Sequence, residues 1–405
     1  MTTDVRTSPP QRRAIAPDLA RGLMLLLIAL ANVPWFLYGE PTSATSAHRA
    51  DATGLDAVWQ TIAIIAIDSR SYPLFAFLFG YGIWQLYTRQ QAAGLDERSA
   101  RRLLQLRHAL LLAFGAVHAA LLWFGDVLGA YGLIGLITAW LFLRRTNRTL
   151  IVWIAVLSAV SAVLGVLLMV GGALIPPEIA AMTTTTTPNP NDIESYPASI
   201  LPRLQFWLLL VFGQGVLGLI VPIAVLLAFV CARHRVLENP EAHRRLLVRT
   251  AAIGIPVGWL GGVPSVLIQH GLWDVPSWTP LVLSGLAGLF AALGYAAVFA
   301  LIAARFAADR SPGPVVRGLT AIGKRSLSCY LLQSVLFAPL LCAWGLGLGG
   351  VLSQWQAALV AVAVWLASMV FAVVLERSGR RGPAEWLLRT LAYRGRRAAA
   401  TPVAA

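Results

Sequence analysis

Long apolar runs, separated by short charged segments, dominate this chain. A bilayer core about 30 Å thick is spanned by roughly 20 apolar residues, because an α-helix rises about 1.5 Å per residue. Ten runs approach or exceed that length, and together they predict an all-α, polytopic transmembrane helix bundle of about ten spans: residues 19–38, 71–88, 108–124, 127–143, 150–170, 204–231, 250–268, 279–304, 326–346 and 356–376.

The stretch from Leu55 to Ile67 is also apolar, but Asp68 and Arg70 close it after about 13 residues. That length is too short to cross the bilayer. We therefore expect a packed or interfacial helix that leads into the second span.

The basic residues test the number of spans, since Lys and Arg in short loops stay on the cytoplasmic side. With ten spans and a cytoplasmic N-terminus, the inner segments carry 29 of the 32 Lys and Arg residues, and the outer segments carry Arg49, Arg70 and Arg203. One span more or fewer would place every later loop on the opposite side of the membrane. The distribution therefore predicts both termini in the cytoplasm and the chain in the inner, plasma membrane.

The composition agrees with burial in lipid. Of 405 residues, 58% are hydrophobic and 12% are charged, and the mean hydropathy is +0.70, which is outside the range of ordinary soluble domains. The net charge of +14 does not indicate a nucleic-acid partner, because the basic residues form short clusters between apolar runs rather than one folded face. We expect membrane lipid as a partner and no nucleic acid.

A cleaved signal peptide is the alternative for the first span, since the small residues Ser43 to Ala47 follow it. The apolar run is longer than the usual core of a signal peptide, and its removal would leave an odd number of spans. We predict that the span is retained.

The three cysteines, Cys231, Cys329 and Cys342, lie in or at the ends of apolar spans and have no paired spacing. They predict neither a disulfide framework nor a metal site. No metal is expected.

The outer loop from about residue 172 to residue 203 contains the polar run Thr183–Thr187, followed by Pro188 to Asn191. A polar stretch interrupted by proline has little to bury. It predicts a mobile loop, and a lid is the alternative.

Residues Pro383 to Tyr393 place Trp386, Leu387, Thr390 and Leu391 on one helical face, and three arginines follow. This pattern is typical of an amphipathic helix that lies in the membrane plane beside anionic headgroups. Residues 395–405 are predicted to form a disordered basic tail.

Polar groups inside the apolar runs carry the functional information, because an ionisable side chain at membrane depth usually faces a partner or a cavity. In the first span, Arg21 and Asn32 lie only about 20° apart around the helix. Asp18 precedes Arg21 by about one turn. The three residues either line a path or form an end-of-helix ion pair and an amide that joins two helices.

The third span holds His118, and Asp126 follows eight residues later at a turn, with Tyr131 beyond it. A histidine there can act as a general base or a proton carrier, with the aspartate fixing its tautomer. In a continuous helix His118 and Asp126 would be about 80° and 12 Å apart, so contact requires the turn to fold back. A histidine that only bonds two helices together is the alternative. His108 is interpreted as a residue of the cytoplasmic interface.

At the start of the ninth span, Tyr330, Gln333 and Ser334 lie within about one turn of each other. They either line an inner vestibule or form hydrogen bonds between helices. Gln214 in the sixth span has the same two interpretations.

At these residues the sequence resembles the YeiB-like bacterial membrane proteins. The hairpin from Arg107-His108 through His118 to Gly125-Asp126-Val127-Leu128 and Tyr131 is similar to one family motif, and LFAFLFGYG at residues 74–82 is similar to another. Three C-terminal runs resemble the family's domain of unknown function, DUF418: Tyr330 to Ser334, Gly345 to Gly349, and Gly382 through Trp386 to Tyr393. Cys329 departs from the family, which usually has Asn there.

Charge clusters and this resemblance predict the domain organisation. A cytoplasmic tail (1–18) precedes an N-terminal transmembrane half (19–231), a cytoplasmic linker (232–249), a DUF418-like transmembrane region with an amphipathic end helix (250–394), and the basic tail. The family has no settled biochemical function, so the resemblance bears on architecture.

A remoter resemblance lies in the first span. Asp18-Leu19-Ala20-Arg21-Gly22, with Asn32 eleven residues after the arginine, is similar to the opening of transmembrane acyltransferases, including the heparan-type glucosaminide acetyltransferases. Those enzymes move an acyl group from cytoplasmic acyl-CoA to a hydroxyl or amine on the far side. The resemblance implies an O- or N-acyltransferase with acyl-CoA as co-substrate, no required cofactor, and an extracytoplasmic lipid or glycan acceptor.

Acyl transfer of this kind needs cations for the CoA phosphates, a path for the pantetheine arm, and a base near the outer end. The catalytic candidates are His118, Asp126 and Asn32, with His48 as a weaker alternative base. The substrate-binding candidates are Asp18, Arg21, Tyr131, Tyr330, Gln333 and Ser334, and further inner cations are Arg101, Arg102, Lys324 and Arg325. The alternatives are a transporter or proton-coupled channel, in which His118 and Asp126 form a proton relay, and a scaffold without an active site.

Overall fold

The computed structural model describes residues 15–42, 46–176, 178–179, 189–307 and 313–399. Within these ranges the chain forms fifteen α-helices joined by short turns. The first eight are α1 (Ile15–Asn32), α2 (Gly54–Ala66), α3 (Ser71–Ala92), α4 (Glu97–Leu121), α5 (Leu128–Leu141), α6 (Asn147–Ala173), α7 (Tyr196–Phe212) and α8 (Ile220–Arg233). The others are α9 (Arg244–Leu260), α10 (Val263–Gln269), α11 (Leu281–Ala307), α12 (Pro314–Lys324), α13 (Ser326–Leu341), α14 (Gln354–Arg377) and α15 (Pro383–Ala399).

Eight helical segments among the described residues are long and apolar enough to cross a membrane, as in a multi-pass membrane protein. They are α1 with the turn after it, α2 with α3, α4, α6, α7 with the turn after it, α9 with α10, α11, and α14. The apolar helices α5, α8 and α13 are shorter. Each predicted apolar run falls mainly on these helices, so the all-α bundle is confirmed. The number of ten spans and the cytoplasmic termini stay predictions.

The basic clusters meet at one end of the bundle. Arg233 Nη1 donates to the Arg145 carbonyl at 2.8 Å, and Lys324 Nζ lies 2.6 Å from Glu376 Oε1. Arg233 and Lys324 also line one cavity. We call this end the basic end, and the opposite end, where the turn after α1 finishes at Phe36, the far end. The basic end corresponds to the predicted cytoplasmic side.

α2 is a separate helix packed against its neighbours, as the sequence predicts. The guanidinium of Arg70 donates to the carbonyls of Ile64 and Asp68 at 2.9 and 2.6 Å, and to that of Gly258 on α9 at 2.5 Å. These bonds satisfy carbonyl groups that the end of α2 leaves free. They also tie α2 to α9.

The predicted span 204–231 is interrupted. α7 passes into a π-helical turn, Gly213–Leu217, and α8 starts only at Ile220. Gly215 and Gly218 weaken the helix here, because glycine is a poor helix former, and Gly218 has an extended backbone with ψ of 126°. The π-helical turn packs against α5, whereas α8 packs against α3. The interruption therefore moves the chain sideways within the bundle.

The last part of the outer loop is anchored to the far end of α1. Asn189 Nδ2 donates to the Leu37 carbonyl at 2.8 Å, and Asn191 Nδ2 donates to the Trp35 carbonyl at 3.0 Å. The prediction of a mobile loop is therefore wrong for residues 189–191, because the side chains of Asn189 and Asn191 bind the turn that follows α1. The run from Thr183 to Pro188 lies outside the described residues.

α15 lies at the basic end and packs against α4. Leu388 and Ala392 are buried, whereas Trp386 and Leu387 are 58% and 41% exposed. This arrangement fits a helix with one face on the protein and an apolar face toward lipid. The tail predicted from residue 395 is helical as far as Ala399, since its Arg and Ala residues favour a helix. Residues 1–14 and 400–405 lie outside the described residues.

Candidate functional site

The turn after α4 folds back onto that helix. It places Oδ1 of Asp126 2.8 Å from Nδ1 of His118. Gly115 makes the close approach feasible, because a Cβ there would lie 2.5 Å from Oδ2 of Asp126. The sequence analysis required the turn to fold back for His118 and Asp126 to touch, and the two residues do form a direct hydrogen bond. We call this pair of residues the dyad.

The carboxylate of Asp126 is fully buried and has several hydrogen-bond partners. Its Oδ2 accepts from the Gly129 backbone N–H at 3.0 Å and from the Trp207 indole N–H at 3.2 Å. With His118 as a further donor, these contacts suit a carboxylate, which only accepts hydrogen bonds when ionised, and they offset its removal from water. The carboxylate is held in one orientation.

The second ring nitrogen of His118 is free. The side chain is 2% exposed, and Nε2 is buried without a hydrogen bond to any described residue. Because Asp126 accepts from Nδ1–H, the neutral ring has its lone pair on Nε2. An oriented imidazole of this kind can take a proton from a hydroxyl or an amine.

Tyr330 of α13 completes the cluster. Its hydroxyl lies 3.5 Å from Oδ1 of Asp126 and accepts from the Val127 N–H at 3.3 Å. Its ring meets the His118 ring edge-on, with 5.5 Å between centroids. Tyr330 thus contacts both members of the dyad.

α15 holds the start of α13 and thereby positions Tyr330. Glu385 Oε1 accepts from the backbone N–H groups of Leu327 and Ser328 at 2.8 and 3.1 Å, and its Oε2 accepts from the Ser328 hydroxyl. A carboxylate at a helix N-terminus satisfies free N–H groups and interacts favourably with the helix dipole. The amphipathic end helix therefore supports the site.

A cavity of about 1080 Å³ extends from the basic end to Tyr330. Its deep wall is largely apolar and aromatic, with Phe75, Phe79, Leu128 and Tyr131 beside Tyr330. Six basic and three acidic side chains line the rest: Arg21, Arg89, Arg107, Arg233, Arg235 and Lys324, with Asp18, Glu238 and Glu385. The basic lining and the apolar wall together suit a ligand with an anionic group at the basic end and an apolar part inside.

Asp18 and Arg21 line this cavity, and Arg21 Nη1 lies 3.2 Å from Asp18 Oδ1. Lys324 lines it too, whereas Arg325 pairs with Glu376 at 2.5 Å. The other two predicted cations, Arg101 and Arg102, do not line it.

The remaining predicted residues lie apart from the dyad. Tyr131 lines the cavity, but its hydroxyl donates to a backbone carbonyl of α3 at 2.8 Å. Gln333 Nε2 donates to the Leu25 carbonyl of α1 at 3.3 Å, and Ser334 is buried nearby. Asn32 is the last residue of α1 and is half-buried, away from the dyad's hydrogen bonds and the cavity wall.

His48 lies at the far end and links three segments. Its Nε2 is 2.7 Å from Asp68 Oδ2, and its Nδ1 is 3.0 Å from Gln354 Oε1. Burial alone would lower the pKa of His48, but the Asp68 carboxylate and the hydrogen bonds to Asp68 and Gln354 outweigh it and raise the pKa above its usual value. With both nitrogens occupied, His48 is less suited than His118 to act as a base.

Sequence reasoning missed Arg107, His108 and Trp207 as parts of the site. The prediction of an interfacial His108 is wrong, because its ring is buried and a Cβ on Gly135 of α5 would lie 2.8 Å from it. The family-like hairpin opens with Arg107-His108 and could have identified both. Trp207 reaches Asp126 only through tertiary packing, and no local signal marks it.

The described residues contain no group of three or more His, Cys, Asp or Glu that could hold a metal ion. Cys231, Cys329 and Cys342 are free thiols.

Comparison with known proteins identifies relatives along almost the whole chain. Residues 231–395 match the family described as a protein of unknown function, DUF418, a match that begins before the boundary predicted at residue 250. The uncharacterised protein YeiB of Escherichia coli (strain K12) is 28% identical over 398 residues, which cover 94% of this chain and 97% of YeiB. The uncharacterised protein YxaH of Bacillus subtilis (strain 168) is 26% identical over 401 residues, covering 93% of each chain. The chain is thus similar to the DUF418 family over residues 231–395 and to YeiB and YxaH over nearly its full length, as its motifs predict.

Proposed function

We propose that the chain is a transmembrane acyltransferase of the bacterial inner membrane. It moves an acyl group from cytoplasmic acyl-CoA to a hydroxyl or amine of an extracytoplasmic lipid or glycan. The observation that supports this function most is the buried Nε2 of His118, which has no hydrogen-bond partner among the described residues. Tyr330 connects the dyad of this histidine to a cavity with a basic mouth.

The donor binds in the cavity. Arg21 and Arg107 lie in its wall and provide guanidinium groups for the CoA phosphates, since charge-assisted hydrogen bonds to phosphate are among the strongest available to a side chain. The apolar walls accept the pantetheine arm. The thioester then lies toward Tyr330, which is the cavity residue in contact with the dyad.

His118 acts on the acceptor. Its Nε2 takes the proton of the acceptor hydroxyl or amine while that oxygen or nitrogen attacks the thioester carbonyl. The new ester or amide bond forms, the C–S bond breaks, and the imidazolium gives its proton to the departing thiolate. Asp126 accepts the Nδ1–H bond throughout and stabilises the imidazolium, as the acid does in other His–Asp pairs.

The decisive experiment compares lipids and cell-surface glycans by mass spectrometry in the wild type, a deletion strain, and His118→Ala and Asp126→Asn strains. A defined acyl group is expected to be lost in all three altered strains. His243→Ala, a histidine at the basic end outside the cavity wall, is the matched control and should keep it. An acylation profile that the deletion leaves unchanged would overturn the proposal.

Proton-coupled transport is the second candidate, favoured by the interruption between α7 and α8. Gln214 lies in the π-helical turn, and its Oε1 is buried without a hydrogen-bond partner among the described residues. Interrupted helices of this kind form substrate sites in secondary transporters. Proteoliposomes with an internal pH dye separate the candidates. Proton flux that His118→Ala abolishes supports transport, whereas acyl transfer without flux supports the enzyme.

A further inference from the structure

Arg203 of α7 is a fully buried cation that forms no salt bridge with a described residue. The residue is 0% exposed. Its Nε, Nη1 and Nη2 atoms are all buried without a hydrogen bond to any described residue. A buried guanidinium in this state is unfavourable unless something compensates its charge.

Two aromatic rings pack on the guanidinium. Its Cζ lies 4.9 Å from the ring centroid of Tyr196 and 5.9 Å from that of Trp344. The two rings contact each other edge-on at 4.9 Å. Cation–π contacts attract the charge, but they leave the directional N–H bonds of the guanidinium unmade.

A second donor of the same cluster is also unpaired. The indole Nε1–H of Trp344 is buried without a partner among the described residues. The Tyr196 hydroxyl donates to the Leu121 carbonyl at 2.9 Å, and the Cys342 thiol donates to Asn191 Oδ1 at 3.2 Å. Among the described residues, the cluster thus combines unpaired donors from Arg203 and Trp344 with no paired carboxylate, which is the donor set of an anion site.

The position of Arg203 relates this cluster to the dyad. Trp207, four residues later on α7, is about one helical turn away on the same face, and its indole donates to Asp126. Arg203 therefore lies on the far-end side of the dyad. An extracytoplasmic acceptor would approach His118 from that side.

The cover of the cluster is thin. Tyr196 and Trp344 are half-buried, and Gly345 and Leu346 directly after Trp344 are exposed. A shift of either aromatic ring would bring the guanidinium into contact with the outside. The fork of an arginine matches the paired oxygens of a phosphate or a carboxylate.

We infer that Arg203 and the indole N–H of Trp344 form an anion-binding site at the far end, and that this site holds a phosphate or carboxylate group of the acceptor. The assignment of the anion to the acceptor rests on the proposed function. The presence of the site does not depend on it.

The test measures the Tm of the purified full-length protein in detergent with three probes: inorganic phosphate, sodium glucuronate, and phosphatidylglycerol compared with phosphatidylcholine. The variants are Arg203→Gln, Arg203→Lys and, as a control for charge, Arg148→Gln on the exposed start of α6. At least one probe should raise the Tm of the wild type and of Arg148→Gln but not that of Arg203→Gln. Arg203→Lys should keep part of the shift, because lysine supplies a point charge without the fork.

The same measurement separates the anion site from a purely structural arginine. Without any probe, Arg203→Gln should unfold at the wild-type temperature or above it, since the variant removes an uncompensated charge. If Arg203→Gln lowers the Tm by the same amount with and without each probe, the inference is overturned. A wild-type Tm that responds to none of the three probes, or equal shifts in all variants, would overturn it too.

The probes also identify the source of the anion. A response to phosphatidylglycerol alone assigns a lipid phosphodiester, one to glucuronate a carboxylated glycan, and one to inorganic phosphate a phosphomonoester. His118→Ala should keep the anion-dependent shift while it loses acyl transfer. If acyl transfer is never found but the shift persists, the anion site stands and its assignment to an acceptor fails.

Discussion

Gly115 and Asp126 face each other so closely that a β-carbon on Gly115 would lie 2.5 Å from the Oδ2 atom of Asp126 and 2.5 Å from the backbone nitrogen of Gly129. The carboxylate occupies the space that any other residue at position 115 would fill. The dyad therefore depends on a glycine three residues before its histidine.

Gly115→Ala should displace Asp126 and break its hydrogen bond to His118, because the two atoms nearest the new methyl group belong to the Asp126 carboxylate and to the first turn of α5. We expect a lower Tm and loss of acyl transfer. Gly171→Ala in α6 is the matched control, since no atom lies within 4 Å of a Cβ there and alanine favours a helix. Equal Tm values for the two variants would contradict the geometry of the turn.

Asp126→Ala should lower the free energy of unfolding by about 3 kcal/mol or more, since each buried donor left without an acceptor costs about 1–3 kcal/mol. The donors concerned are those of His118, Gly129 and Trp207. Asp126→Asn, which keeps one acceptor oxygen, should be milder. Denaturant unfolding in detergent measures both, with the exposed Asp274→Ala as the control. A loss no larger than that of the control would show that the carboxylate is not held as described.

Arg107→Gln should weaken acyl-CoA binding about tenfold, the equivalent of about 1.4 kcal/mol, because it removes one charge-assisted contact from the cavity. The measurement is the acetyl-CoA concentration that gives a half-maximal rise in Tm, since a ligand that binds only the folded state stabilises it. Arg102→Gln, outside this cavity, should leave that concentration unchanged. Identical behaviour of the two variants would remove the cavity as the donor site.

His48 should make stability depend on pH. Its pKa is raised in the folded protein, so the folded state binds the proton more tightly than the unfolded chain. The resulting stabilisation is fully present below the unfolded pKa of about 6.5 and is lost as the pH rises through the raised folded value. Tm measured across this interval should fall with pH in the wild type, and less steeply in His48→Gln. Asp68→Asn, which removes the charge that raises the pKa, should act in the same way, and a curve that His48→Gln leaves unaltered would refute the link.

The helices could be predicted because lipid imposes a simple requirement of length and apolarity. The runs around residues 150–170 and 279–304 coincide with α6 and α11. The interruption of 204–231 was not predicted, although Gly213, Gly215 and Gly218 mark its position. Glycines in an apolar run also occur in continuous packed helices, so the sequence does not distinguish the two.

The site was predicted in part. His118 and Asp126 stand out as ionisable residues at membrane depth. Because eight residues and a turn separate them, the sequence did not determine whether their side chains touch. Tyr330 and Trp207 reach the same carboxylate from distant helices, and no spacing along the chain relates them to it. Tyr131 was predicted because it is near Asp126 in sequence, but its position on α5 directs its hydroxyl toward α3.

The dyad and its tyrosine come from opposite sides of residue 231, where the DUF418 match begins. The start of that match therefore divides the candidate site, and a fragment that ends there would carry half of its residues. Chimaeras between this chain and YeiB or YxaH have to exchange both portions together.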